Sequence, residues 1–152
     1  MYSIVGTVHS EVVRASLEEV ASTGRAENNV AGLMRAALVG DTNALSALLD
    51  RGVAVNSKDR YGRTPLIEAV FGGNPDTVRE LVRRGADVNA QDIDGWTALM
   101  EAATKARPEI IRILLEHQAN PSIKNKNGST ALRMTSRHHP EVVRLLKDAG
   151  AH

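Results

Sequence analysis

Asp59-Arg60-Tyr61-Gly62-Arg63-Thr64-Pro65-Leu66 is answered by Asp92-Ile93-Asp94-Gly95-Trp96-Thr97-Ala98-Leu99 and again by Asn125-Lys126-Asn127-Gly128-Ser129-Thr130-Ala131-Leu132, each copy 33 residues after the last. A fixed period of this length marks a stack in which each unit is a β-turn followed by two helices. Such stacks expose extended concave surfaces, and those surfaces bind other molecules.

Outward from the first copy, the unit continues through Ala69, Gly73, a second apolar helix and Gly85-Ala86-Asp87-Val88-Asn89-Ala90. The next unit repeats it as Ala102-Ala103, Leu114-Leu115 and Ala119-Asn120, and the last as Leu145-Leu146 and Gly150-Ala151. Counting backwards by the same interval lands on Leu33, Ala36, Gly40 and Gly52, a first unit without its own turn. Thr64-Pro65-Leu66 with Ala69 resembles the T-P-L-H-x-A signature of the ankyrin repeat. That resemblance covers about residues 29–152. It implies an all-α ankyrin-repeat solenoid of stacked helix-turn-helix pairs with β-turn fingers, its repeats running about 29–58, 59–91, 92–124 and 125–152.

Local chemistry supports each boundary. Thr64 is placed to cap the first helix, and Pro65 suits a first turn, where the missing N–H costs nothing. Pro75, Pro108 and Pro140 open the second helices in the same way, and Pro121 falls in a loop. Val78, Leu81 and Val82 recur as Ile111, Leu114 and Leu115, an i, i+3, i+4 stripe that must face a neighbour. Arg79, Arg83, Arg84, Arg112 and Glu116 fill the opposite, solvated face. Two features depart from the family pattern. Its histidine is replaced by Ile67, Met100 and Arg133, so apolar packing is expected in place of hydrogen bonds in the middle units. Pro108 to Pro140 is 32 residues, a shortening that belongs in a terminal repeat.

Residues 1–28 form an N-terminal leader with two open readings. Glu11-Val12-Val13-Arg14 repeats Glu141-Val142-Val143-Arg144, which suggests a degenerate helix capping the stack; the alternative is a disordered leader.

Composition limits the function. The chain has 152 residues, 42% hydrophobic and 24% charged, enough for one domain with a core. A net charge of +1 gives no general attraction to nucleic acid or membrane, and the absence of cysteine fits a reducing cytoplasm. No apolar run reaches the ~20 residues of a membrane span. Catalytic signatures are missing: neither a phosphate-binding Gly-Lys-Ser/Thr loop nor a His-Glu-x-x-His helix occurs. Asp92, Asp94 and Gly95 do not keep the spacing of a calcium loop, and adjacent His138 and His139 do not share a helix face. Neither a cofactor nor a metal site is expected.

In ankyrin stacks, the resemblance implies, partners meet the turn tips and the exposed face of each first helix. Here those positions hold Arg60, Tyr61 and Arg63, then Ile93, Asp94 and Trp96, then Lys126 and Asn127, with Phe71, Lys105 and Arg137 on the helices. Three of the chain's four aromatics fall on this side. Each aromatic can bury about 150–250 Å² of an interface needing about 800 Å² per partner. Tyr61 and Trp96 are read as anchors, because little core lies near the turn glycines; Phe71 is either a third anchor or a cap on the core. Charge alternates along the tips, positive, negative, positive, which suits a protein surface better than a nucleic-acid backbone. Asp59 and Asp92 are expected to serve the turns themselves, so Arg60, Asp94 and Lys126 would set the complementarity. The expectation is a monomeric, non-enzymatic, cytoplasmic module that binds a protein partner to recruit or inhibit it. A self-associating scaffold and an enzyme with an unrecognised site are the rivals.

Overall fold

The structure, a computed structural model, describes residues 24–135 and 137–152. Eight helices carry the regular structure among them: α1 (24–39), α2 (Thr42–Asp50), α3 (Pro65–Gly72), α4 (Pro75–Arg83), α5 (Ala98–Thr104), α6 (Pro108–Glu116), α7 (Ala131–Met134) and α8 (Pro140–Asp148). First helices pack on first helices, α3 on α5 and α5 on α7. Second helices do likewise, α2 on α4, α6 and α8 in turn. The core lies between the two layers and is built from Leu, Ile, Val, Ala and Met, including fully buried Leu33, Leu45, Leu66, Leu81, Leu99, Leu114 and Leu146.

Helix starts follow the sequence. Thr64 Oγ1 accepts the Ile67 N–H and Thr97 Oγ1 the Met100 N–H, both at 3.3 Å, while proline occupies the first turn of α3, α4, α6 and α8. Val78, Leu81, Ile111 and Leu114 are buried as the stripe requires, with Val82 and Leu115 partly covered. Ile67 and Met100, in place of the family's histidine, join the core, whereas Arg133 is exposed. The shortened last unit loses its first helix: α7 has 4 residues against 8 in α3 and 7 in α5. Thr130 makes no side-chain cap there, and its buried hydroxyl has no partner among the described residues.

Between the pairs, the chain turns through fingers held by one side-chain oxygen each. Asp59 Oδ1 accepts the N–H groups of Tyr61 and Arg63 at 2.8 and 2.9 Å. Asp92 does the same for Asp94 and Trp96, and Asn125 for Asn127 and Ser129. Neighbouring fingers are then tied by backbone, Ile93 N–H to Tyr61 O and Lys126 N–H to Asp94 O, each 3.0 Å. This explains the glycine mark. Gly62 and Gly95 have φ of +71° and +80°, and a Cβ on either would stand 3.0 Å from the next finger's backbone.

The outer face is laced by ion pairs between repeats. Arg79 joins Asp76 at 3.0 Å and Glu109 at 2.8 Å, Arg112 joins Glu141, and Arg84 joins Asp50 at 2.7 Å and Glu80 at 2.9 Å. Exposed pairs of this kind contribute about 0–1 kcal/mol each. Their larger consequence is that the arginines of the second helices have their charge met within the fold.

At the N-terminal end, α1 passes through residues 28 and 29 without a break, so the boundary drawn there from sequence lies inside a helix. Its 16 described residues are twice the length of α3, and residues 25–31 are the register mates of the finger positions 58–64. The repeated Glu11-Val12-Val13-Arg14 segment falls outside the described residues.

Candidate functional site

Fingers and first helices together form one inner face. Its corner is set by Arg63, whose guanidinium lies 3.1 Å from Asp59 and 2.8 Å from Glu68 on α3. Glu68 is only 5% exposed, and its Oε1 sits close to Arg63 but off the line of a directed hydrogen bond. Burial pushes its carboxyl above the usual range, with Arg63 opposing the shift. Its register mate Glu101 is raised for the same first reason and is opposed by Lys105, 3.8 Å away. Both carboxylates serve the fold: Glu68 braces its finger to α3, and Glu101 pairs within α5 with the C-cap residue Lys105.

On this frame Tyr61, Phe71 and Ile93 are 45%, 46% and 49% exposed. The Arg60 and Arg63 guanidinium carbons lie 4.9 and 5.2 Å from the Tyr61 ring centre, and Lys105 Nζ lies 4.2 Å from that of Phe71. Such contacts hold a ring at a fixed attitude while leaving its surface open. Phe71 is therefore a surface residue and not a cap on the core. Ile93, bonded through its N–H to Tyr61 O, brings its side chain next to Tyr61 on the following finger.

Two expected residues are placed differently. Trp96 is half-buried and packed against the core, so core does lie within its reach. The reason is local: Asp92 draws the Trp96 N–H inward at 2.9 Å, which turns its side chain toward the helices rather than outward. Arg137 is not on a first helix, because α7 ends at Met134. It follows the curtailed α7 and lines an open groove of about 430 Å³ with Pro140, Val143 and Lys147 of α8. Asp94, Lys126 and Asn127 are exposed at the finger tips as expected.

The inner face also extends further than the sequence reading took it. Leu38 and Val39 at the end of α1 are 37% and 63% exposed, and they are the register mates of Phe71 and Gly72. Subtracting one period from Phe71 would have found them. Gly72 has a separate cause, because a Cβ there would lie 2.0 Å from Leu38 O. Where the first unit lacks a finger, an open groove of about 640 Å³ runs between Ala26, Val30 and Met34 of α1 and the finger residues Lys58, Asp59 and Arg60.

Among the described residues, no group of three or more His, Cys, Asp or Glu side chains is placed to hold a metal, and no helix is long and apolar enough to cross a membrane. No curated protein matches the chain. A family model described as ankyrin repeats (3 copies) matches residues 2–92 and again 73–152, in step with the 33-residue period, the capped helix pairs and the linked fingers. The chain belongs to the ankyrin-repeat family.

Proposed function

We propose that this chain is a non-catalytic, monomeric module of the cytoplasm that binds one protein partner on its inner face and thereby recruits or inhibits it. Ankyrin repeats in general are protein-protein interaction modules. The observation that carries the proposal is the row of exposed apolar side chains, Tyr61, Ile93, Phe71 and Leu38, on fingers and helices that hydrogen bonds hold in place. Large apolar groups on a preorganised frame bind without a large ordering cost. A monomeric state is supported by the outer face of α8, where exposed Arg144, Lys147 and Asp148 surround Val143 and none of the described helices packs. Absence of cysteine suits the cytoplasm.

The test is affinity capture from native lysate with wild type, Tyr61→Ala/Ile93→Ala and Trp96→Ala. The double variant should keep its unfolding midpoint and lose the captured partner. Trp96→Ala should lose stability, by about 2–4 kcal/mol as for a partly covered core aromatic, and is compared at equal folded fraction. Equal recovery of the same partners by the double variant would overturn the inner-face assignment.

A further inference from the structure

The two faces of this protein differ in how their charges are used, and the difference identifies the chemistry of what binds. On the outer face Arg79, Arg83, Arg84, Arg112 and Arg144 each have a carboxylate partner. On the inner face the carboxylates are consumed within the fold. Asp59 and Asp92 accept the N–H groups of their own fingers, Glu68 is buried beside Arg63, and Glu101 meets Lys105.

Cations on the inner face are not balanced in this way. Arg35, the register mate of Glu68, is exposed, and so are Lys58, Arg60, Lys124 and Lys126; none of them has a carboxylate within salt-bridge distance among the described residues. Lys58 Nζ meets only the Gln91 carbonyl, at 3.0 Å, and Arg60 only the Tyr61 ring. Asp94 at one finger tip and Glu27 on α1 are the exposed acids that oppose them. A near-neutral chain therefore carries a basic inner face, interleaved with Tyr61, Ile93, Phe71 and the apolar groove between α1 and the first finger.

We infer that the inner face takes a linear peptide segment of a partner protein in which acidic residues alternate with apolar ones, acids on Lys58, Arg60 and Lys126 and apolar side chains on the α1 groove and beside Tyr61 and Ile93. The inference rests on the protein-binding reading above and adds the partner's chemistry. A peptide is favoured over nucleic acid because the cations are separated by apolar side chains and interrupted by Asp94, whereas a phosphate backbone is met by an unbroken basic track. Charge complementarity steers encounter and rejects wrong partners, and apolar contacts hold the complex.

The full chain is panned against random linear peptides displayed on phage, and a synthetic peptide of the enriched sequence is titrated by fluorescence anisotropy. Enriched sequences should be rich in Asp and Glu with interspersed Leu, Ile or Phe. Arg60→Glu/Lys126→Glu should weaken binding of that peptide by about tenfold or more, and Lys147→Glu on α8 should leave it unchanged. Binding should also weaken as salt rises. Enrichment of neutral or basic sequences, or indifference to the double charge reversal, overturns the acidic assignment while the Tyr61/Ile93 capture result still decides protein binding separately. Tighter binding of poly-uridylate RNA than of the enriched peptide overturns it as well. If no sequence is enriched, the linear peptide is overturned, and the capture experiment shows whether a folded protein surface binds instead.

Discussion

Replacing Gly32 and Gly72 by alanine, one at a time, sets helix propensity against packing. Both glycines lie in helices, and alanine is favoured over glycine by about 1 kcal/mol in a helix interior and by less at an end. At Gly32, inside α1, the added Cβ meets Leu48 Cδ1 at 3.5 Å, an ordinary contact. Propensity gain survives there, and Gly32→Ala is expected to stabilise by about 1 kcal/mol. At Gly72, the last residue of α3, the same atom would stand 2.0 Å from Leu38 O and 2.7 Å from Asn74 Nδ2. Leu38 O cannot retreat freely, because it accepts the Asn74 side-chain N–H at 2.9 Å. Overpacking costs about 1–3 kcal/mol, and a displaced hydrogen bond about 1 kcal/mol more. These outweigh a propensity gain of about 0.5 kcal/mol, so Gly72→Ala is expected to destabilise by about 1.5–3.5 kcal/mol. Urea unfolding followed by helical circular dichroism reads both. With a slope of about 2 kcal/mol/M, the midpoint should rise by about 0.5 M for Gly32→Ala and fall by about 0.75–1.75 M for Gly72→Ala. A midpoint raised by Gly72→Ala would refute the reasoning, since propensity would then have decided the outcome and the approach of α1 to α3 would not be fixed.

Thr97→Ala should cost about 1 kcal/mol by removing the α5 cap, whereas Thr130→Ala should be neutral or mildly stabilising, because its hydroxyl is buried with no partner among the described residues; comparing the two urea midpoints checks this. The carboxylates should give pH dependences of opposite sign. Arg83 and Arg84 hold Glu80 down to about 2, so its contribution is full above the ordinary value near 4.5 and is lost as pH falls toward 2; the advantage of wild type over Glu80→Gln should fade over that window. Glu68 is raised instead, so its favourable protonated form is lost as pH rises through its folded value; the midpoint of Glu68→Gln should gain on wild type as pH climbs above about 4.5.

The period made the helix pairs, their caps and their proline starts legible, because each depends on residues a few positions apart along the chain. Thr64 and Thr97 cap as their spacing requires, and the residue missing before Pro140 foretold the curtailed α7. Placement on the inner face was legible for Tyr61 and Ile93 in the same way. Trp96 was not, since the direction of its side chain is set by an Asp92 oxygen that bonds its N–H within the folded finger. Arg137 was misplaced because a count of residues cannot show where a shortened helix releases the chain.

By itself, then, the sequence determined a stack of turn-and-helix units and which residues recur at equivalent positions, because local propensity and a 33-residue period act along the chain. Only the tertiary structure decided which charges remain unspent. Asp59 and Asp92 are legible from their positions as acids that serve their own turns, and they accept the finger N–H groups as that reading requires; the burial of Glu68 against Arg63 is not legible in this way. On the outer face, Arg79–Glu109, Arg84–Asp50 and Arg112–Glu141 join one unit to the next, pairings that the linear order of charges does not contain. The alternation of signs read along the tips thus became, in three dimensions, a basic inner face and an outer one whose arginines are largely paired.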